Sequence, residues 1–312
     1  MSESVIAFAP ASIGNVGVGF DMLGLALESV GDRVAARRTD ESGISIAEVR
    51  GLDGELHPNL STDPEHNTAS IAAKSLWDDH GDGGVELKVY KGIPLQSGMG
   101  SSAASAVAAA VAVNALLKTP LAVDKLLPYA LEGEKYAGGG MHIDNVAPSL
   151  LGGMILCPPV LLPDAVRIPV PDGISAVVVH PDLQVNTAQS RESLAKGYSM
   201  EQWLSQQGYL AGFIAACITG DIPLIGKTLR DVVIEPQRIA AVPCFGAVKE
   251  AAERGGALGV SLSGSGPSIF AICESSVAQN LAMAMELACR GQGIDCQSWV
   301  SSMHAPGAHV ES

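Results

Sequence analysis

The chain has 312 residues, of which 47% are hydrophobic and 17% charged, a composition typical of compact globular domains and not of disordered segments. Its length suffices for two medium-sized domains, each with its own core. The formal net charge of −14 argues against a nucleic-acid partner, because binding to a phosphate backbone draws on an excess of Lys and Arg.

No segment predicts export or membrane insertion. The first eight residues lack the basic region and the long apolar region of a signal peptide, so we expect a cytoplasmic protein. The longest apolar run, residues 103–117, is shorter than the roughly 20 residues that cross a bilayer and predicts a buried helix. The six cysteines are scattered without CxxC pairs and predict neither zinc binding nor disulfide bonds.

In the N-terminal half, sequence patterns predict alternating strands and helices. Strands are expected at residues 5–9, 34–36 and 85–90. Helices are expected at residues 68–77, 103–117 and 125–136, the last ended by three glycines at 138–140. The order strand, glycine-rich loop, helix follows across residues 85–117.

In the C-terminal half, elements again mix without a strict βαβ rhythm. Strands are expected at residues 150–156, 176–179 and 269–272, and helices at 210–218, 246–254 and 278–289. The proline-rich residues 158–171 mark the expected domain boundary, which divides the chain into 1–160 and 161–312. This pattern favours an α+β fold over a doubly wound parallel sheet.

The strongest chemical signal is a loop rich in glycine and serine between a predicted strand and a predicted helix. It comprises Pro94, Leu95, Gln96, Ser97, Gly98, Met99, Gly100, Ser101, Ser102, Ala103 and Ala104. Glycine lets the backbone approach a ligand, and the free N–H groups and dipole at a helix start favour negative charge. The loop lacks the Lys of a Walker motif and the third glycine of a dinucleotide fingerprint. It predicts a phosphate site, with a serine-capped tight turn as the alternative.

Two other glycine-rich segments, residues 9–21 and 259–268, accompany this loop. In this order, the three segments resemble the signature motifs of the GHMP kinases, the superfamily of galacto-, homoserine, mevalonate and phosphomevalonate kinases. The resemblance spans nearly the whole chain. It implies a ribosomal-S5-like ATP-binding domain, a ferredoxin-like α+β domain, and the use of ATP and Mg²⁺. Together with the apolar surplus, it favours a homodimer.

Three further segments, residues 141–148, 185–191 and 231–238, resemble the homoserine kinases within this superfamily. The resemblance implies ATP-dependent phosphorylation of the side-chain hydroxyl of L-homoserine to O-phospho-L-homoserine, a step of threonine biosynthesis. Two alternatives stay open. The chain could be a GHMP kinase for another alcohol, such as mevalonate or a sugar, or a binding protein that kept the fold without catalysis.

The resemblance assigns a Mg²⁺ site. Glu134 lies eight residues before His142, at the spacing of the family's metal carboxylate, and Ser102 is the expected second contact to metal and phosphates. One carboxylate suffices, because Mg²⁺ keeps waters and shares substrate phosphates. The alternative is an exposed helical Glu, as we expect for Glu132.

The resemblance also assigns a homoserine site with a position for each polar group of the substrate. Asp21 is expected at the ammonium, and Arg191 and Arg238 at the carboxylate, because Arg binds planar anions with two hydrogen bonds. The remaining pocket residues are expected to be Asn15, His142, Asp144, Asn145 and Thr187. The alternatives are surface ion pairs for the two arginines, a buried hydrogen-bonded histidine, and a structural turn at Thr187.

Candidate catalytic residues are Asp144, Asn145 and Thr187, with Thr187 beside the reacting hydroxyl. The Asp and Lys that serve as base in galacto- and mevalonate kinases have no convincing match, and Asp144 is the nearest candidate. We therefore expect catalysis mainly by positioning and charge stabilisation. Adenine contacts are expected at Asn67 and residues 89–93, and residues 263–268 are expected to brace the nucleotide loop.

Overall fold

The computed structural model describes residues 4–138 and 140–311. Gly139, in the predicted three-glycine turn, and residues 1–3 and 312, at the outer ends of the predicted domains, lie outside the described residues. The strands are β1 (Val5–Gly14), β2 (Leu23–Thr39), β3 (Gly43–Arg50), β4 (Gly84–Tyr90), β5 (Met154–Leu156), β6 (Val166–Ile168), β7 (Ile174–Pro181), β8 (Ala257–Leu262), β9 (Ile269–Glu274), β10 (Cys296–Ser302) and β11 (His309–Val310).

Helices cover or connect these strands. They are α1 (Thr68–His80), α2 (Ser101–Ala115), α3 (Leu127–Gly138), α4 (Ile143–Leu151), α5 (Thr187–Glu192), α6 (Met200–Thr219), α7 (Ile222–Thr228), α8 (Glu235–Arg238), α9 (Phe245–Arg254) and α10 (Ala278–Arg290). No helix in the described ranges is both long enough and apolar enough to span a bilayer.

The first sheet has the order β11-β1-β2-β4-β3, with β5 beside β2 and β6 beside β5. Its pairs are antiparallel except for β3 and β4. Helix α2 packs on β1 and β2 and is flanked by α1 and α3. It buries thirteen of its fifteen residues, and its many alanines allow this close packing. The start of α2 is therefore held rigidly at the edge of the core.

The second sheet has the order β10-β7-β9-β8, all antiparallel. With α9 and α10 the chain order is β7-α9-β8-β9-α10-β10, the ferredoxin-like arrangement. Alternate residues of β7 face two cores: Val178 belongs to the main core, whereas Val177 and Val179 pack with α9 and α10. The α+β fold with two different layers is confirmed.

The predicted strand at residues 150–156 is wrong in its first half. Leu150 and Leu151 belong to α4, which continues past Pro148. Gly152 and Gly153, with φ of 77° and 65°, then turn the chain, and only Met154–Leu156 forms a strand. An uninterrupted apolar run does not distinguish a buried helix end from a buried strand.

The division at residue 160 stays a prediction. Two strands from beyond that point join the first sheet: β6 pairs with β5, and β11 at the end of the chain pairs with β1, with His309 opposite Phe8. The proline-rich residues 158–171 therefore contain a strand of the first sheet.

Candidate active site

A cavity of about 540 Å³ lies beside the start of α2 and is lined from both halves of the chain, within the size range of small-molecule sites. The predicted substrate, metal and catalytic residues that line it are Asn15, Asp21, Ser102, Glu134, His142, Asp144, Asn145, Thr187, Arg191 and Arg238. Folding thus brings together every one of these predicted residues.

Seven of the predicted loop residues line the same cavity: Leu95, Gln96, Ser97, Gly98, Gly100, Ser101 and Ser102. The side chains of Met99, Ala103 and Ala104 are fully buried and pack behind the loop, while Pro94 is partly buried. Any contact of those three buried residues with a nucleotide would rest on backbone atoms.

Gly98 and Gly100 allow the loop backbone to pack closely. Both have positive φ, 75° and 70°, a region that favours glycine. An added Cβ would lie 2.4 Å from the backbone oxygen of Ser263 at Gly98, and 2.4 Å from Ser12 Oγ at Gly100. Gly100 is the N-cap of α2 and offers no side chain to accept hydrogen bonds from the first-turn N–H groups. These groups and the helix dipole suit an anion.

The third glycine-rich segment holds the loop from behind. Ser263 Oγ donates a 2.6 Å hydrogen bond to Gly98 O, and the N–H of Ser268 donates to Ser97 O at 3.1 Å. These contacts join the turn between β8 and β9 to the loop. They are the bracing contacts expected from residues 263–268.

A buried ion pair lies under the loop. Lys91 Nζ donates to Asp32 Oδ2, to the backbone oxygen of Ser101 at 2.9 Å and to Ser105 Oγ at 2.7 Å. Asp32 Oδ1 accepts a 2.9 Å hydrogen bond from the N–H of Gly92. The network therefore joins β2, the end of β4 and the first turn of α2.

Glu134 and His142 form a buried pair at the cavity wall. Glu134 Oε1 lies 2.8 Å from His142 Nδ1. Burial alone would lower the pKa of His142, but the hydrogen bond to Glu134 and the charges of Glu134 and Asp144 outweigh it, and the pKa is raised. Glu134 Oε2 is buried and has no hydrogen-bond partner among residues 4–138 and 140–311. An unpaired carboxylate oxygen fits a hard cation.

Asp144 is held between the first glycine-rich segment and α4. Its Oδ2 accepts a 2.9 Å hydrogen bond from the N–H of Asn15, whose side chain donates to Gly264 O at 3.1 Å. Burial, with a smaller contribution from the charge of Asp21, raises the pKa of Asp144 to about 6. Neighbouring Asn145 accepts a 2.9 Å hydrogen bond from Ser12 Oγ. Asp144 is therefore fixed in place and largely ionised at neutral pH.

Two arginines lie over one aromatic ring, and one of them is paired with an aspartate. Arg191 donates to both carboxylate oxygens of Asp21 at 2.7 Å, and Arg238 donates to Gly264 O at 2.9 Å. Their guanidinium carbons lie 5.5 Å and 5.2 Å from the centre of the Phe20 ring. Burial and the charge of Arg191 lower the pKa of Arg238, which indicates that a further anion here would be favoured.

Thr187 and Asn67 already have hydrogen-bond partners. Thr187 Oγ1 lies 3.3 Å from Ser265 Oγ, which joins the start of α5 to the third glycine-rich segment. Asn67 caps α1 by accepting from the N–H of Ala69 at 3.0 Å, although it also lines the cavity with Val89. The capping role limits what the Asn67 side chain can offer to adenine.

Phe20 and the pair of Asp32 and Lys91 were not predicted from the sequence. Phe20 directly precedes Asp21 within the first glycine-rich segment, and this position is a usable signal in the sequence. Asp32 lies 59 residues before Lys91, and its partner follows only from the pairing of β2 with β4.

Comparisons with known proteins identify the family of the chain. The family model for the GHMP kinases N terminal domain matches residues 67–153, and that for the GHMP kinases C terminal matches residues 213–290. A homoserine kinase from Xanthomonas campestris pv. campestris is 44% identical over 306 residues, 97% of this chain and 93% of the relative. A homoserine kinase from Chlorobium phaeobacteroides is 39% identical over 99% of both chains.

A solved structure of a homoserine kinase also matches the chain over nearly its full length. The crystal structure of homoserine kinase from Cytophaga hutchinsonii superimposes with a TM-score of 0.94 at 40% identity, covering 100% of this chain and 98% of that one. The identity over nearly the full length of these relatives assigns the family. The chain belongs to the homoserine kinases of the GHMP kinase superfamily.

Proposed function

We propose that this chain transfers the terminal phosphoryl group of ATP to the side-chain hydroxyl of L-homoserine, giving O-phospho-L-homoserine in threonine biosynthesis. The observation that carries the proposal is that the phosphate loop and the cluster of Asp21, Arg191 and Arg238 face one cavity. The cavity thus offers a nucleotide end and an amino-acid end. Relatives called homoserine kinase at 39–44% identity support the substrate.

The charges at the amino-acid end match a zwitterion. Arg191 and Arg238 provide two positive charges, and Asp21 one negative charge, within one contact network. The two guanidinium groups can bind the substrate carboxylate with paired hydrogen bonds. Asp21 provides the partner for the ammonium. Mevalonate lacks the ammonium and a sugar lacks both groups, so neither matches both the arginines and Asp21.

Glu134 and Ser102 would hold Mg²⁺ at the nucleotide end. The buried Oε2 of Glu134 is available for a cation, and Ser102 lies in the first turn of α2 on the same cavity. In the described part of the chain no group of three His, Cys, Asp or Glu is placed to hold a metal, so phosphate oxygens and water would supply the other ligands. When bound, Mg²⁺ neutralises charge on the phosphates.

The chain's own residues act mainly by positioning. The N–H groups of the phosphate loop orient the nucleotide, while Arg191, Arg238 and Asp21 fix the amino acid so that its hydroxyl faces the phosphate end. A loose phosphoryl-transfer transition state needs little assistance from a base and much from alignment. Asp144 keeps the Asn15 segment in place through its backbone hydrogen bond, and Asn145 and Thr187 line the space for the reacting hydroxyl.

We propose a cytoplasmic homodimer that uses L-homoserine, ATP and Mg²⁺ and has no nucleic-acid or membrane partner. The acidic net charge of −14 supports the lack of a nucleic-acid partner.

The test is ADP release from Mg·ATP by the purified protein. L-homoserine, D-homoserine, L-serine, mevalonate and galactose are offered separately, with a control that lacks an acceptor. Turnover confined mainly to L-homoserine is expected. Turnover with another alcohol would support kinase activity but contradict L-homoserine as the substrate. The absence of turnover with every acceptor would favour a binding protein.

The positioning mechanism has its own test. The Asp144→Asn protein keeps the size and the hydrogen-bond acceptor of the side chain, so we expect turnover to fall by no more than about 100-fold. If this change abolishes turnover while homoserine and ATP still bind, measured by calorimetry, Asp144 acts as a general base.

A further inference from the structure

Phe20 contacts both arginines of the amino-acid end but does not line the cavity. Arg191 and Arg238 are part of the cavity wall, and Phe20 is not. The guanidinium carbons of the two arginines lie 5.5 Å and 5.2 Å from the centre of the Phe20 ring, within the range of a cation–π contact. The two cations therefore share one aromatic partner that stands outside the substrate space.

Ion pairs and hydrogen bonds account for only part of what holds these two arginines. Arg191 is paired with Asp21. Among the residues that the structure describes, Arg238 forms no ion pair, and it donates to Gly264 O. The Nε atom of each arginine is buried and has no hydrogen-bond partner there. Buried cations with unused donors are costly, and the negative face of the Phe20 ring supplies stabilisation that hydrogen bonds do not.

The two guanidinium groups also repel each other. Burial and the charge of Arg191 lower the pKa of Arg238. Without a further constraint, either side chain would reduce this repulsion by moving into solvent while the substrate carboxylate is absent. Each long side chain that must then be ordered on binding reduces the affinity about 2- to 12-fold. A ring that already holds both side chains removes this cost from the binding step.

The ring is itself fixed by the turn that carries Asp21. Phe20 and Asp21 are the two central residues of this turn, which is closed by a 2.9 Å hydrogen bond from the N–H of Met22 to Gly19 O. The N–H of Asp21 donates to Asn15 Oδ1 at 3.0 Å. Adjacent residues of one anchored turn thus carry the carboxylate and the ring that face the arginines.

We propose that Phe20 is a positioning residue for the substrate carboxylate, whose ring holds the guanidinium groups of Arg191 and Arg238 in place before L-homoserine binds. This inference rests on the proposed function and adds a residue that touches neither substrate nor nucleotide. Phe20 acts on the substrate only through the two arginines. The affinity for L-homoserine therefore depends on the ring, whereas the affinity for ATP and the rate of phosphoryl transfer in the full complex do not.

Steady-state kinetics of Phe20→Leu tests this dependence. Leu keeps an apolar side chain but has no aromatic face to attract a cation. We expect the KM for L-homoserine to rise about 10-fold or more, because two arginines must then be ordered on binding. The kcat and the KM for ATP should each change less than about threefold. Phe20→Tyr keeps the ring face and should restore the KM for L-homoserine to within about threefold of the unmodified protein.

Phe8→Leu is the matched control. Phe8 is also partly buried, and the guanidinium carbon of Arg33 lies 5.0 Å from its ring centre, but Phe8 does not line the cavity and contacts neither of the two substrate arginines. Its replacement should leave all three kinetic constants unchanged. Thermal melts show whether each variant is folded.

Fluorinated phenylalanines at position 20 separate the charge distribution of the ring from its shape. Fluorine withdraws electrons from the ring face and weakens its attraction for cations, while the ring keeps its packing. Mono-, di- and trifluorophenylalanine, incorporated in place of Phe20 by a suppressor tRNA, should raise the KM for L-homoserine stepwise. The same series in place of Phe8 should have no effect. The series decides the question even where Phe20→Leu does not fold.

Four outcomes overturn the role of Phe20. They are an unchanged KM for L-homoserine in folded Phe20→Leu, an unchanged KM across the fluorinated series, a lower KM, and equal losses in kcat and in both KM values. A lower KM would show that the ring competes with the substrate carboxylate for the arginines. An unmodified protein without turnover of L-homoserine overturns the proposed function and this inference together. Normal turnover of the unmodified protein with unaffected variants overturns the role of Phe20 alone.

Discussion

Arg191 donates two parallel hydrogen bonds to Asp21, both 2.7 Å long, across 170 residues of sequence. The pair joins the first glycine-rich segment to α5 and closes one end of the cavity. Asp21 supports the positive charge and raises the pKa of Arg191. The carboxylate and the guanidinium group that a zwitterionic substrate requires are therefore already held together before the substrate binds.

Arg191→Lys is expected to weaken homoserine binding selectively. Lys keeps the charge but loses the planar fork that forms two hydrogen bonds at once. We expect the KM for L-homoserine to rise about 10- to 100-fold, equivalent to about 1.4–2.7 kcal/mol, while the KM for ATP changes little. Steady-state kinetics with each substrate varied in turn measures both. Arg33→Lys, at the exposed pair with Glu311, is the control, and an unchanged homoserine KM in Arg191→Lys would remove Arg191 from the site.

Glu134→Gln is expected to weaken metal binding. The amide keeps the shape of the side chain but loses the charge that a divalent cation requires. We expect the affinity for Mn²⁺, used as a probe for Mg²⁺ in the presence of a non-hydrolysable ATP analogue, to fall at least about 10-fold. Electron paramagnetic resonance of free Mn²⁺ measures it without turnover. Glu132→Gln, at the exposed neighbour, should leave the affinity unchanged, and equal effects of the two changes would contradict the assignment.

The local parts of the site could be predicted from sequence, whereas the contacts between distant segments could not. The loop at residues 94–104 follows from glycine conformation and helix dipoles, which are properties of neighbouring residues. The pair of Asp32 and Lys91 depends on strand register: β2 and β4 pair with Arg33 opposite Tyr90, which places the preceding and following residues together. Register is fixed by the packing of the whole sheet, and no local pattern encodes it.

Lys91→Met is expected to destabilise the fold under the phosphate loop. The change leaves the fully buried Asp32 carboxylate without its cation, which costs about 3–5 kcal/mol of the free energy of unfolding. The double variant with Asp32→Asn should regain part of that loss, because no buried charge is then unpaired. Urea unfolding measures the free energy of unfolding of each variant. Lys88→Met removes a partly exposed pair with Glu48, which keeps Arg50 as a partner, and should cost less than about 1 kcal/mol. Similar losses for Lys88→Met and Lys91→Met would contradict the role of burial.

Asp144 is expected to give the free energy of unfolding a distinct pH dependence. Burial raises its pKa to about 6 from an ordinary 3.8, so the folded state binds the proton more tightly than the unfolded state does. The stabilising contribution is full below pH 3.8 and is lost as the pH rises through 6, by about 3 kcal/mol in all. Urea unfolding of the unmodified protein and of Asp144→Asn, compared from pH 4 to 8, isolates this group, because the other groups cancel in the difference. The free energy of unfolding of the unmodified protein minus that of Asp144→Asn should fall as the pH rises. For Asp82→Asn the same difference should rise with pH, since hydrogen bonds from Lys118 and Arg38 lower the pKa of Asp82. A flat or rising difference for Asp144→Asn would show that the folded state ionises Asp144 without a free-energy cost.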